Sequence, residues 1–170
     1  GSADATLTTP FSLALAEEPW GAALDFGCGT GLWRDFFRAG RYVGLDQNPD
    51  MVEGARQRWA GDDAEFVLCP DLADGARMPF EDGTFDVVCA IAVLQHNYDS
   101  DKQKVLDEIR RILRAGGRLL MYEGTYGDWN PGSDNDLCHT QEGWRSVIEP
   151  HGFVCVRQDR DFHIFRAIVP

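Results

Sequence analysis

The run ALDFGCGTGLW, Ala23 to Trp33, constrains this chain more than any other, because an apolar stretch bearing one acid stops at three alternating glycines. Glycine weakens the interior of a strand or helix, and it suits places where a backbone turns sharply or a ligand comes close. The run reads as a strand that ends at a ligand.

Around it, strand-like segments at Ala22 to Phe26, Tyr42 to Leu45, Glu65 to Cys69, Phe85 to Ile91 and Arg118 to Glu123 alternate with helix-like ones. The helices are expected at Leu32 to Arg38, Pro49 to Trp59 and Asp101 to Arg114. Such alternation marks a parallel sheet covered on both faces. Asn48-Pro49 offers a cap and a first-turn proline, Asp99 or Ser100 can cap the next helix, and RAGG at Arg114 to Gly117 offers a glycine stop. Val105, Leu106, Ile109, Ile112 and Leu113 recur at helical spacing and read as core. GTYGDWNPGSDNDLCH, Gly124 to His139, has no period and is a loop long enough to carry function. Thr140 then caps a helix to about Glu149, Gly152 precedes a strand from Phe153 to Arg157, and Phe162 to Val169 returns across QDRD as its hairpin partner. The expected fold is α/β: one domain over residues 1–170, with a Rossmann-like, doubly wound, mostly parallel seven-stranded sheet and an antiparallel C-terminal hairpin.

At 170 residues the chain can bury a core without disulfides or a structural metal. Its five cysteines are odd in number and form no Cys-x-x-Cys pair, which argues against a disulfide framework and a zinc site and fits a reducing cytoplasm. No apolar run suits a bilayer, and the start lacks the basic-then-apolar order of a signal peptide. A formal charge of −12 repels a phosphate backbone, so neither a nucleic acid nor a membrane is the expected partner.

In an open parallel sheet, ligands bind beyond the strand ends where strand order reverses. Gly27, Gly29 and Gly31 are spaced Gly-x-Gly-x-Gly, and Leu32 stands where a dinucleotide loop has its last glycine, which weakens a nicotinamide reading. Asp46 closes the second strand in YVGLDQN, where an acid can accept both hydroxyls of a ribose. A glycine turn followed by an acid at the next strand tip has few bland explanations.

Together with MPFEDGTFDVVCAIAVLQH and VLDEIRRILRAGGRLLMYE, these runs make the chain resemble the class I S-adenosylmethionine-dependent methyltransferases, in particular their small-molecule branch. The resemblance runs from about Ala23 to Glu123, and HTQEGWRSVIEPHGF is similar to the family's last helix and strand. It implies that Asp25, Gly27, Gly29 and Gly31 form the loop against the methionine part of S-adenosylmethionine, and that Asp46 holds the ribose. It also implies that Gln47 and Met51 lie over the ribose and adenine, that Asp71 and Leu72 meet the adenine edge and face, and that the Ile91 carbonyl receives the cofactor's amino group. Asp74-Gly75 competes with Asp71-Leu72 for the adenine role, because a few extra residues precede MPF.

The implied reaction is in-line attack of an acceptor on a sulfonium methyl, leaving S-adenosylhomocysteine. Alignment and exclusion of water dominate such chemistry, and a base is needed only when the acceptor loses a proton. His96, Glu123, Tyr126 and His139 are the candidates near the mouth, with His96 and His139 taken as catalytic. Tyr126 and Trp129 hint at an apolar or ring-bearing acceptor. Little chain is left to cover a substrate, so either Gly124 to His139 with Phe11 to Ala16 form a cap, or the site is open or completed by a second copy in a homodimer. A non-catalytic cofactor-binding module is the alternative of a different class. A nicotinamide oxidoreductase on the same kind of sheet is the less favoured enzyme reading, because Leu32 replaces the last glycine of the dinucleotide loop.

Overall fold

The structure is a computed structural model that describes residues 19–125 and 139–168. Seven strands form one sheet: β1 (Trp20–Phe26), β2 (Ala39–Asp46), β3 (Glu65–Leu68), β4 (Phe85–Ile91), β5 (Leu113–Tyr122), β6 (Phe153–Asp159) and β7 (Phe162–Ala167). Their order is β3-β2-β1-β4-β5-β7-β6. The first five pair in parallel, and β7 lies antiparallel to both of its neighbours, β5 and β6. Strand order reverses between β1 and β4, so their carboxyl ends open a crevice.

Side-chain alternation splits the core into two layers. Leu24, Phe26, Val43, Leu45, Val88, Ala90, Leu119 and Met121 face α2 (Asp99–Ile112) and α3 (Gln141–Ile148), whose Val105, Leu106, Ile109, Ile112, Trp144 and Ile148 complete one cluster. Ala23, Tyr42, Val87, Cys89 and Leu120 belong to the other, with Val52 and Ala55 of α1 (Pro49–Arg58). Burying each large aliphatic side chain contributes about 1.5–3 kcal/mol, so this period-2 and period-3.6 match fixes the register.

The caps follow the sequence in two places. Asn48 Oδ1 accepts from the amides of Asp50 and Met51 at 2.9 and 3.4 Å, and Thr140 Oγ1 accepts from Gly143 N at 3.0 Å. Elsewhere tertiary packing wins. The expected helix from Leu32 to Arg38 is a single 3-10 turn, Arg34–Phe36, because seven residues cannot repay helix nucleation while Phe37 is drawn into the core and strand β2 starts at Ala39. Helix α2 starts at Asp99 without a side-chain cap and stops at Ile112. RAGG falls inside β5: Phe85 faces Leu113 and Val87 faces Arg118, so Arg114 to Gly117 bulge out and Gly116 takes φ +76°. Among the described residues no helix is long and apolar enough to cross a membrane. The expected cap segments, Phe11 to Ala16 and most of Gly124 to His139, with Tyr126 and Trp129, lie outside the described residues.

Candidate functional site

A cavity of about 260 Å³ opens at the crevice. Phe26 and Gly27 come from the end of β1, Asp46 and Gln47 from β2, Leu72 and Ala73 from the turn after β3, and Ala92, Val93, His96 and Asn97 from the turn after β4. Four strand ends thus converge on one volume.

The three glycines do two separate jobs. All have positive φ, at +71° for Gly27, +52° for Gly29 and +70° for Gly31. A Cβ on Gly27 would stand 2.5 Å from Val93 Cγ2, and one on Gly31 would stand 2.8 Å from Trp59 Nε1, so those two serve close packing. A Cβ on Gly29 would meet nothing within 4 Å, which leaves a backbone turned toward open space. The loop is pinned from below, since Leu45 O accepts from the amides of Gly27 and Cys28 at 2.8 and 3.1 Å.

Asp46 joins this loop to α1. Its Oδ2 accepts from Gly29 N at 2.8 Å and its Oδ1 from Asn48 N at 2.9 Å. Each carboxylate oxygen keeps a second lone pair, and the residue is only half-buried, so two ligand hydroxyls can still be accepted. Asp25 is different: it is 1% exposed beneath the loop, where Tyr42 OH donates to its Oδ2 at 2.8 Å. Burial pushes its carboxyl up to about 7, against the pull of the Tyr42 bond and with a further push from Asp46. Its hydrogen bond joins β1 to β2 beneath the loop, and it does not line the cavity.

Ala73 is held on both sides. Its amide donates to Gln47 Oε1 at 3.1 Å, and its carbonyl accepts from Asn97 Nδ2 at 2.6 Å. Leu72 is buried against the cavity, whereas Asp71 and Asp74 are exposed, Asp71 with φ +59°. Met51 is 41% exposed, and neither it nor Ile91 is among the cavity residues.

His96 lines the cavity from an exposed position. His139 lies beside the start of α2, with Nε2 at 3.1 Å from Asp99 Oδ1 and 3.3 Å from Lys102 Nζ, and its ring edge-on to Trp144. Burial and the Lys102 charge hold the His139 pKa below the usual histidine value despite Asp99. Glu123 is wholly buried, and its carboxylate accepts three backbone amides of the turn after β4. Burial pushes it up to about 7, against those bonds and the Lys102 charge. It stands behind the cavity wall and not in it.

Sequence reasoning did not find Asn97, Ala73 or Val93. The only signal for Asn97 was a polar side chain one residue after His96, and its clamp on Ala73 joins turns 24 residues apart.

Residues 24–121 match the family model described as a methyltransferase domain. The chain belongs to that family. Its members are S-adenosylmethionine-dependent class I methyltransferases, and the matched span runs from within β1 to within β5 and includes every residue lining the cavity. The chain is 40% identical over 122 residues to an uncharacterized 37.1 kDa transposon protein of Streptomyces fradiae, covering 69% of this chain and 33% of that one. It is 35% identical over 121 residues to a ubiquinone/menaquinone biosynthesis C-methyltransferase of Desulfotalea psychrophila, covering 68% and 46%. The chain therefore spans less than half the length of these curated relatives. Others carry names with acceptors as unlike as a sterol, in Caenorhabditis elegans, and a tRNA, in Mus musculus. The 1,6-didemethyltoxoflavin-N1-methyltransferase of Burkholderia thailandensis, solved with 1,6-didemethyltoxoflavin and S-adenosylhomocysteine, shares the fold at a TM-score of 0.76 and 21% identity over 98% of this chain and 80% of that one.

The family's cofactor is S-adenosylmethionine, and the residues present suit it. A half-exposed acid with spare lone pairs answers vicinal hydroxyls, apolar Phe26, Leu72 and Val93 answer a flat ring, and the open side of Gly29 admits a group close to the backbone.

Proposed function

We propose that this domain transfers a methyl group from S-adenosylmethionine to a small-molecule acceptor. The observation that carries the reading is the Asp46 carboxylate, bonded to the glycine loop at 2.8 Å while bordering the cavity at the sheet's switch point. Bound S-adenosylmethionine supplies a methyl already activated on a sulfonium, which an acceptor lone pair takes in line as S-adenosylhomocysteine leaves.

The chain's own residues then have four tasks. Asp46 orients the ribose through the lone pairs its amide bonds leave over. Phe26, Leu72 and Val93 enclose the adenine ring and keep water from it. The Gly27 to Gly31 backbone brings amides near a carboxylate at the loop, with Asp25 and Tyr42 bracing it from below. His96, the histidine that lines the cavity, takes a proton at a ring nitrogen when the acceptor group carries one. His139, expected from the sequence as a second proton acceptor, does not border the cavity; its ring is held beside α2 by Asp99.

Charge favours a small acceptor over a polyanion. The net −12 is accompanied by Asp71, Asp74, Asp99 and Asp101 on or beside the turns that carry the cavity residues. Such a field repels phosphate. The test is release of S-adenosylhomocysteine from S-adenosylmethionine in the presence of a panel of phenols, quinones, amines and bulk tRNA. Release with a small molecule is expected; release with tRNA alone contradicts the small-molecule reading.

A further inference from the structure

Burying a carboxylate is costly unless its oxygens are well paired, yet Glu123 is 0% exposed at the end of β5. Three consecutive amides converge on it. Its Oε1 accepts from Val93 N at 3.1 Å and Leu94 N at 3.0 Å, and its Oε2 accepts from Gln95 N at 3.1 Å. The concave array of N–H groups is an anion-binding shape, here filled by the protein's own side chain.

The turn so gathered is the one that builds the cavity wall. It opens at Ala92, whose φ of +53° is unfavourable for a residue with a Cβ, and Ala92 N is tied to Tyr122 O at 2.7 Å. From it Val93 packs against Gly27 of the glycine loop, and Asn97 reaches Ala73 of the turn after β3. A shift of this turn therefore moves contacts to two other walls. The same strand end is joined to it a second time, since Gln95 Oε1 accepts from Gly124 N at 2.7 Å.

We propose that Glu123 is a positioning residue: by gathering the amides of Val93, Leu94 and Gln95 it holds the turn after β4 in the strained form that shapes the cofactor cavity. This rests on the methyl-transfer reading for the identity of the ligand, and on geometry alone for the hold on the turn. Glu123 touches no reacting atom, so its loss acts on binding through Val93 and Asn97.

The test is Glu123→Gln, read by backbone amide exchange and by titration with S-adenosylhomocysteine. The glutamine oxygen can still accept from Val93 and Leu94, but its amide nitrogen is a donor facing the Gln95 N–H. Exchange at Gln95 should quicken at least tenfold (order of magnitude, one lost charge-assisted bond) while amides of β1 and α1 keep their rates. Affinity for S-adenosylhomocysteine should fall about tenfold. If Glu123→Gln does not fold, Glu123→Asp keeps the charge, retracts the carboxylate by one methylene and is read in the same two ways. Unchanged Gln95 exchange overturns the proposal, and so does quickened exchange with unchanged affinity. If the wild-type chain does not bind S-adenosylhomocysteine, the methyl-transfer reading fails, and the exchange data still decide whether Glu123 holds the turn.

Discussion

Gly29→Ala separates folding from binding at the glycine loop. With φ at +52°, an alanine there costs about 1–2 kcal/mol of backbone strain. No clash adds to this, because nothing lies within 4 Å of the new Cβ. For a chain of this size, each kcal/mol lowers the melting midpoint by about 2–4 °C, so a fall of roughly 2–8 °C is expected. Gly27→Ala makes the control. It has similar strain, and its Cβ would stand 2.5 Å from Val93 Cγ2, so overpacking adds about 1–3 kcal/mol more. Binding should rank differently. The methyl group that Gly29→Ala adds occupies the open side of the loop, which the proposed site gives to the amino-acid end of the cofactor, and should weaken S-adenosylhomocysteine binding at least tenfold, about 1.4 kcal/mol. Thermal melts with and without ligand, followed by calorimetric titration, read both quantities. A Gly29→Ala protein that binds with wild-type affinity refutes the assignment of that open space to the cofactor.

Asp46→Ala removes the acceptor for Gly29 and Asn48 together and should weaken S-adenosylhomocysteine binding by about 10- to 100-fold, as expected for charge-assisted bonds to hydroxyls; titration with unchanged affinity sinks the ribose role. His96→Ala should lower kcat by about 10²-fold or more on an acceptor that must lose a proton, with S-adenosylhomocysteine affinity nearly kept. A matched loss of stability and activity makes His96 structural instead. Asp25 gives a pH signature: its folded carboxyl is raised from 3.8 to about 7, so the folded chain holds the extra proton between those values. The stability this contributes is present below about 4 and is lost as pH rises through 7. Asp25→Asn, which keeps an acceptor for Tyr42, should therefore gain stability relative to wild type between pH 5 and 8, and a constant difference in melting midpoint across that range would show that Asp25 is not raised.

The parts of the site legible in the sequence are those set by local rules. The strand-to-glycine transition at Phe26 and Gly27, the acid at the tip of β2 and the Asn48 cap each depend on residues within a few positions, so their spacing shows directly. Leu32 to Arg38 misleads because its periodic aromatics suit a helix, while Phe37 is buried for tertiary reasons and Trp33 packs on Phe36 in a turn. RAGG misleads because a glycine pair stops a helix and also permits a bulge, and only the Phe85 to Leu113 pairing decides between them. Glu123 looked like a candidate base because a carboxylate at a strand end is common in active sites. Its three amide partners lie 28 to 30 residues away, and no spacing rule reveals that they exhaust its reach. Asn97 is invisible for the same reason.

The measurement that tests the central claim most directly is calorimetric titration of the purified chain with S-adenosylmethionine, S-adenosylhomocysteine and NAD in parallel. The account predicts binding of both sulfur compounds in the roughly micromolar range, with no heat from NAD. Binding of NAD alone, or of none of the three, contradicts it.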